Sequence, residues 1–422
     1  MIILSGEWLE EQPAREGPKD VFFLRQDDGD VYSLLSQRPP TETVQGTLYL
    51  TSAKEDPRAS AFGKAEDRVK VFCRIARTPG GGSPVPPTTV KGYTLQNGKW
   101  EETPVEIVPA RSEIFSRING LIETDVLAGK RILIIGLGSV GSHVAIEVAK
   151  SGSTIFFFID HDRLELGNVF RHVAGLSHVG MYKTKAVAQL IKDKNPYAEI
   201  QTLEERVTWG NFEKIRKIVK WADIVVCAAD NRPPRLIVNM LCVQEGKPCL
   251  FVGAFRRAYG GQIIFVHPRV SICFNCFCIL LPDQAQDEEI SNREQAEGLA
   301  YTDRPVPIEP GLSTDIGPIS LMAAKLVIQE LLKGTETTLR SLDEDLKASW
   351  FLWLNRRESG TPYEKLEPLE FNVGGMHILR WYGIDVKRDP ACPVCGDYEG
   401  ELTKREGIQL VDSTDSVTPL KG

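Results

Sequence analysis

No apolar run in the 422-residue chain approaches the ~18 residues needed to span a bilayer; candidates such as Ile132–Ile135, Ile155–Ile159 and Ile279–Leu281 are far shorter. A membrane helix is therefore excluded from the expectations, and with it a membrane partner. The first residues, Met1-Ile2-Ile3-Leu4-Ser5-Gly6-Glu7, lack the basic stretch of a secretory signal, so cytoplasmic residence is expected. Excess positive charge is also lacking. Fifty Lys plus Arg stand against 57 Asp plus Glu, a net charge of −7, so the total offers no counterion-releasing surface and no nucleic-acid partner is expected. With 42% hydrophobic, 25% charged and 8% aromatic residues, the chain lacks the bias of collagen, coiled coil or disorder. It is long enough for two or three domains of about 150 residues.

Residues 1–108 hold short alternating segments, such as Gly46–Leu50 and Val69–Cys73, between Pro and Gly clusters, which predicts a β-rich module. Thr78–Pro87 is expected to be a loop or linker. From Arg131 the texture changes to strand-like runs at Arg131–Ile135, Thr154–Ile159, Asp223–Ala228, Cys249–Val252 and Gln262–Val266. Helical patterns at Val140–Lys150, Thr184–Lys194 and Asn211–Lys220 alternate with them. This alternation predicts an α/β class, a Rossmann-like, mostly parallel sheet with helices on both faces, over 109–335. A later helix, Ile319–Leu332, is expected to start at Pro318 and stop before Gly334. The acidic stretch Pro282–Gly311 reads as a flexible excursion, 336–401 as a C-terminal segment, and 402–422 as a flexible tail.

Gly136-Leu137-Gly138-Ser139-Val140-Gly141 follows a strand and opens a helix. There Gly136, Gly138 and Gly141 permit a tight turn and close approach of phosphate to unpaired helix N–H groups. Asp160, about twenty residues on, ends the next strand, where a carboxylate accepts from ribose hydroxyls. Alone this pattern is an NAD fingerprint, and an NAD-dependent oxidoreductase is one reading. The following residues add what a triphosphate needs: Asp162, Asn168 and the cations Arg171 and Lys183, with Asp230 at another strand end as a potential Mg²⁺ ligand. A carboxylate attacking the α-phosphorus of ATP meets an electrostatic barrier that Arg, Lys and Mg²⁺ lower. The attacking terminal carboxylate, with a reference pKa of about 3.5, needs no general base. His143 and His172 are accordingly read as core or rim residues.

Jointly, the glycine loop, Asp160-x-Asp162, Asn168-x-x-Arg171, Gly180-x-x-Lys183, Asn195-Pro196, Ala229-Asp230-Asn231 and the Pro310–Gly317 approach to a long helix resemble the superfamily of ThiF, MoeB and the ubiquitin-activating enzymes. The resemblance covers Arg131 to about Gly334. It implies ATP- and Mg²⁺-dependent adenylylation of a ubiquitin-like or sulfur-carrier C-terminus, with Asp160 on ribose, Asn168, Arg171 and Lys183 on phosphates and Asp230 organising Mg²⁺. It also implies a homodimer and an arginine from upstream of the glycine strand. Arg117 is the first choice and Arg111 the competitor. The Arg171-His172 pair, Ser116–Leu121 and the N-terminal module look most like the activating enzymes of bacterial ubiquitin-like conjugation systems. Expected partners are then a ubiquitin-like protein ending in Gly and an E2-like carrier. Sulfur-carrier activation for thiamine or molybdopterin synthesis is the alternative within the superfamily.

Nine cysteines, an odd count with two Cys-x-x-Cys pairs, point to metal or redox chemistry more than a disulfide framework. Cys273-x-x-Cys276 and Cys392-x-x-Cys395 can each give two thiolates to one tetrahedral Zn²⁺, which would tie the C-terminal segment back to the main domain. Redox use ranks lower, because neither pair opens a helix after a strand in a thioredoxin-like context. Many relatives form a thioester or persulfide on a crossover Cys, but Asp303–Gly311 contains none. Cys278 and Cys73 are the remaining weak choices for such a thiol. Cys227, Cys242 and Cys249 sit in apolar patterns that bury them.

Overall fold

A computed structural model describes residues 2–5, 17–25, 32–34, 43–51, 64, 67–74, 89–280, 311–338, 340–369 and 374–397. The linker expected at 78–87, residues 282–310 of the excursion and the tail from Leu402 lie outside them. The chain divides into two units, Met1–Arg117 and Ile118–Gly422.

The first unit is an eight-stranded mixed sheet: β1 (Ile2–Ser5), β2 (Gly17–Arg25), β3 (Tyr32–Leu34), β4 (Thr43–Thr51), β5 (Val69–Arg74), β6 (Thr89–Gln96), β7 (Lys99–Thr103) and β8 (Val105–Val108). Their order is β7-β6-β5-β4-β2-β3-β1-β8. Ile2, Leu4, Leu48, Val69, Val71 and Cys73 form its core. The unit ends later than the expected break at residue 108, because the one-turn helix α1 (Arg111–Ile114) stays with it.

The second unit has eight strands: β9 (Arg131–Ile135), β10 (Ile155–Ile159), β11 (Glu199–Leu203), β12 (Ile224–Cys227), β13 (Cys249–Ala254), β14 (Gly260–Val266), β15 (Trp350–Leu354) and β16 (Arg380–Ile384). The order is β11-β10-β9-β12-β13-β14-β15-β16. The first five are parallel and the last three join antiparallel. Residues 336–401, read from sequence as a segment of their own, thus supply two strands to the main sheet. Their aromatic and aliphatic residues bury against β14, with Phe351, Leu352 and Leu354 at 3% exposure or less.

Strand alternation sends successive residues to opposite faces. Ile132 and Ile134 of β9 pack under α3 (Ser139–Lys150) and the long α8 (Ser313–Leu332). Leu133 and Ile135 pack with α5 (Phe212–Trp221) and α6 (Arg232–Glu245). The remaining helices are α2 (Thr124–Ala128), α4 (Lys183–Lys192), α7 (Phe274–Leu280) and α9 (Arg340–Asp345). This is the expected mostly parallel sheet covered on both faces. One boundary differs: α8 begins at Ser313, with Pro318 inside it. Proline forfeits the bond to the Thr314 carbonyl and crowds it, but burial of Ile316 and Ile319 (3% and 0% exposed) holds the earlier turn in place.

Candidate active site and metal centre

The strand order reverses direction of growth at β9, so β10 and β12 flank it and leave a crevice at the carboxyl ends of the strands, where such sheets bind ligands. The glycine loop crosses this crevice. Gly136 has φ +86°, and a Cβ there would lie 2.7 Å from the Ala228 carbonyl carbon and the Ala229 nitrogen. A Cβ on Gly141 would lie 1.9 Å from the Gly136 oxygen. At Gly138, the N-cap of α3, a Cβ would meet nothing within 4 Å. Two glycines thus serve packing, and the third leaves open space before the helix N–H groups.

The loop is held from both sides. Leu137 N–H donates to Asp160 Oδ2 at 2.6 Å, and Asp162 N–H donates to Oδ1 of the same carboxylate at 2.9 Å. Burial pushes the Asp160 carboxyl upward, against the charge of Lys183 and these two amides. His172 is buried; its Nδ1 accepts the Ala174 N–H at 3.0 Å, so Nε2 carries the proton and donates to Leu137 O at 2.8 Å. Burial takes its pKa down to about 4, opposed by that bond to Leu137. His172 is therefore a neutral brace of the glycine loop. His143 Nδ1 lies 2.6 Å from the Ser139 carbonyl one turn back on α3.

Lys183 opens α4, and its Nζ donates to Asp162 Oδ2 at 2.8 Å. Burial raises the Asp162 carboxyl, but Lys183 and His161 outweigh it and hold the group below its usual range. Arg171 is half-buried; burial lowers its pKa while the charge of Asp230 raises it. Asp230 stands exposed just past β12, with Asn231 Nδ2 donating to its Oδ1 at 3.2 Å. Its exposed carboxylate, whose charge acts on Arg171, offers the hard oxygen donors that Mg²⁺ takes. Asn168 uses its Oδ1 to accept the Glu165 N–H at 3.1 Å, closing a capping box around Leu166–Asn168. The second unit so gathers every predicted nucleotide residue except Arg117. Arg117 is the last residue of the first unit, exposed after α1, and Arg111 begins that helix.

Cys273 Sγ lies 3.7 Å from Cys276 and from Cys392, and Cys276 lies 3.4 Å from Cys395. All four sulfurs fall within 4.8 Å of one another and none is in a disulfide. A tetrahedral ion with Zn–S of about 2.3 Å requires S···S edges of about 3.8 Å, which these distances approach. The tetrad fits Zn²⁺. Asn275 Nδ2 and Val394 N–H each donate to Cys392 Sγ at 3.5 Å, the partners a thiolate needs. Cys273 directly precedes α7, where Phe274 and Phe277 bury against the sheet, with seven residues between β14 and that helix. Cys73 is fully buried and burial pushes its thiol up to about 12, which removes it as a reactive thiol. Of the nine cysteines only Cys278 is partly exposed.

Sequence reasoning missed Arg235 and Asn239, both buried on α6 at 3% and 0% exposure. Their signal was present as two polar residues four apart inside the apolar run Leu236–Val243 and its approach. Asn239 Oδ1 accepts the Phe274 N–H at 2.9 Å and so seats the metal knuckle.

The fold and crevice define a Rossmann-like α/β domain with a glycine loop at its switch point and a buried cysteine tetrad. The sequence profile of the ThiF family matches residues 110–351, more than half of the chain, and the chain belongs to that family, within the ThiF, MoeB and ubiquitin-activating superfamily. It is 30% identical over 175 residues to the adenylyltransferase and sulfurtransferase UBA4 of Lodderomyces elongisporus, covering 41% of this chain and 37% of that protein. Ubiquitin-like modifier-activating enzyme 5 of Drosophila ananassae is 26% identical over 194 residues, 44% of this chain and 49% of that one. The chain spans half or less of the length of these relatives. A solved structure of E. coli MccB with ATP matches 65% of this chain and 69% of its own at 18% identity and a TM-score of 0.46. Among the described residues no helix is long and apolar enough to cross a membrane.

Proposed function

We propose that this chain adenylylates the C-terminal carboxylate of a ubiquitin-like protein ending in Gly. The observation that carries the reading is the set of charges around open Gly138: Lys183 on Asp162, and Arg171 under the influence of Asp230. One carboxylate oxygen attacks the α-phosphorus of ATP; the bond from that phosphorus to the bridging oxygen breaks, and pyrophosphate leaves as the acyl-adenylate forms. Arg171 and Lys183 stabilise the charge shared between entering and leaving oxygens. Asp160 receives the ribose, Asn168 adds a phosphate contact, and Gly136, Gly138 and Gly141 keep the loop close. Mg²⁺, when bound, is held by Asp230 and neutralises phosphate charge. No general base is needed for an ionised carboxylate, consistent with both nitrogens of His172 being engaged.

Exchange of labelled pyrophosphate into ATP, dependent on a Gly-ending ubiquitin-like protein, tests this. Absence of exchange with such partners, alongside reduction of NAD by the purified chain, would instead support the oxidoreductase reading. Sulfur-carrier activation is the second reading, favoured by the 30% identity to a relative named as adenylyltransferase and sulfurtransferase. Transfer onward to a thiol, and from it to an E2-like carrier, would fall to Cys278, the partly exposed cysteine. The β-rich module 1–108, absent from compact sulfur-transfer enzymes, supports the bacterial conjugation subfamily. The active form is proposed to be a cytoplasmic homodimer in which Arg117 serves the neighbouring site.

A further inference from the structure

We infer that Arg235 is a positioning residue that sets the Asp230 turn and ties it to the cysteine tetrad; the inference rests on the adenylylation reading above. The Arg235 side chain is buried, and burying a guanidinium costs several kcal/mol unless its donors are used. Its Nε donates to Ala229 O at 2.7 Å and an Nη to Val252 O at 2.9 Å. The parallel ladder between β12 and β13 runs from Val225↔Cys249 to Cys227↔Phe251. Ala229 and Val252 lie just beyond its last pair, so Arg235 supplies donors where the ladder has stopped. Ala229 is bonded directly to Asp230, and the first turn of α6 between Asp230 and Arg235 contains Pro233 and Pro234, which stiffen it. The guanidinium therefore fixes how far Asp230 stands from β13.

The same guanidinium lies 5.7 Å from the centre of the Phe274 ring. Phe274 stacks on Phe251 of β13 at 4.6 Å and directly follows Cys273. One turn further along α6, Asn239 holds the Phe274 amide. Helix α6 so carries the Asp230 turn at one end and the knuckle along its side. Loosening Arg235 should displace the exposed Asp230 most, because the Ala228 N–H stays bonded to the Ile135 carbonyl at 2.8 Å and keeps the Ala228–Ala229 peptide seated against Gly136.

The test measures Mg²⁺ binding by calorimetry in the presence of a non-hydrolysable ATP analogue, together with binding of that analogue without metal, in the full chain. Arg235→Lys retains the charge but replaces a two-pronged donor with a single ammonium. Its Mg²⁺ affinity is expected to fall about tenfold, the scale of losing a supporting partner, with metal-free nucleotide binding changed less than about twofold on the same reasoning. Zinc content should remain at the wild-type value. Phe274→Leu keeps both hydrogen bonds and removes only the ring; it is expected to weaken Mg²⁺ binding in the same direction, and serves if Arg235→Lys does not fold. Wild-type Mg²⁺ affinity in a folded variant overturns the inference, as does an equal loss with and without metal. If the wild-type chain itself shows no Mg²⁺-dependent nucleotide binding, the adenylylation reading fails first and takes the inference with it.

Discussion

His172 grips the glycine loop at a single atom: its Nε2–H donates to the Leu137 carbonyl at 2.8 Å, while Asp160 takes the Leu137 amide from the other side at 2.6 Å. Both faces of one peptide-bearing residue are thus fixed by side chains from the segment after β10. The protonated imidazolium cannot keep the Ala174 amide on Nδ1, so the brace works only when neutral.

This gives a pH dependence with a definite sign. The folded pKa, about 4, lies below the unfolded value of about 6.5, so the unfolded chain takes up the proton first. The contribution is fully present above pH ~6.5 and is lost as pH falls through ~4, on the order of 3 kcal/mol in total. Melting temperatures between pH 7 and 4.5 should fall more steeply for wild type than for His172→Gln. Parallel curves would show that His172 titrates as an ordinary histidine.

The glycines separate packing from binding. Gly141→Ala places a Cβ 1.9 Å from the Gly136 oxygen, and a loss of roughly 2–4 kcal/mol is expected. Gly138→Ala meets no atom, so the melting temperature should stay near wild type while ATP affinity drops. Equal destabilisation of the two variants would refute the assignment of Gly138 to the phosphate cradle.

Removal of a charge at the crevice should act on chemistry. Asp230→Ala and Arg171→Ala are expected to fold normally and to lower the adenylylation rate by roughly 10²–10³. Adenylate formation at wild-type rate in either variant removes that residue from the catalytic set.

The cysteine tetrad predicts one zinc per chain. Chelation or Cys392→Ser should lower thermal stability, in keeping with the roughly 10–16 kcal/mol that structural Zn²⁺ contributes in small peptides. Elemental analysis finding no metal, with Cys273, Cys276, Cys392 and Cys395 all freely titratable, would be incompatible with this assignment.

Arg117 can be tested by mixing. If it serves the neighbouring protomer, an Arg117→Ala chain combined with an Asp230→Ala chain should recover one working site of two. Confirmed mixed dimers without recovery would confine Arg117 to its own chain or to no role in the reaction.

Strands were legible because their cause is local: β9 starts and ends at Arg131 and Ile135, where apolar residues stop and glycine begins. The residues put forward for a nucleotide could be named because phosphate chemistry demands particular types, and the fold sets Asp160 just past β10 and Lys183 at the start of α4. What escaped depended on contacts distant in sequence. Nothing in the spacing around His172 indicates a carbonyl 35 residues away. The start of α8 before Pro318 is decided by the burial of Ile316, and the membership of β15 and β16 in the main sheet by the antiparallel pairing to β14. Arg235 went unremarked in the sequence because the carbonyls that use it, of Ala229 and Val252, are brought around it only by the fold.

The tetrad joins cysteines 119 residues apart, so a metal ion there turns the stretch from Cys273 to Cys392 into a closed ring. Such a ring is knotted shut by coordination instead of by a peptide or disulfide bond. A protease cutting anywhere within it would leave a chain in two pieces that still travel as one, even under conditions that loosen the sheet, for as long as the metal stays. Withdrawing the ion and weakening the sheet would then release both pieces together, so with a metal in the tetrad the integrity of β15 and β16 would rest on the ion as well as on packing.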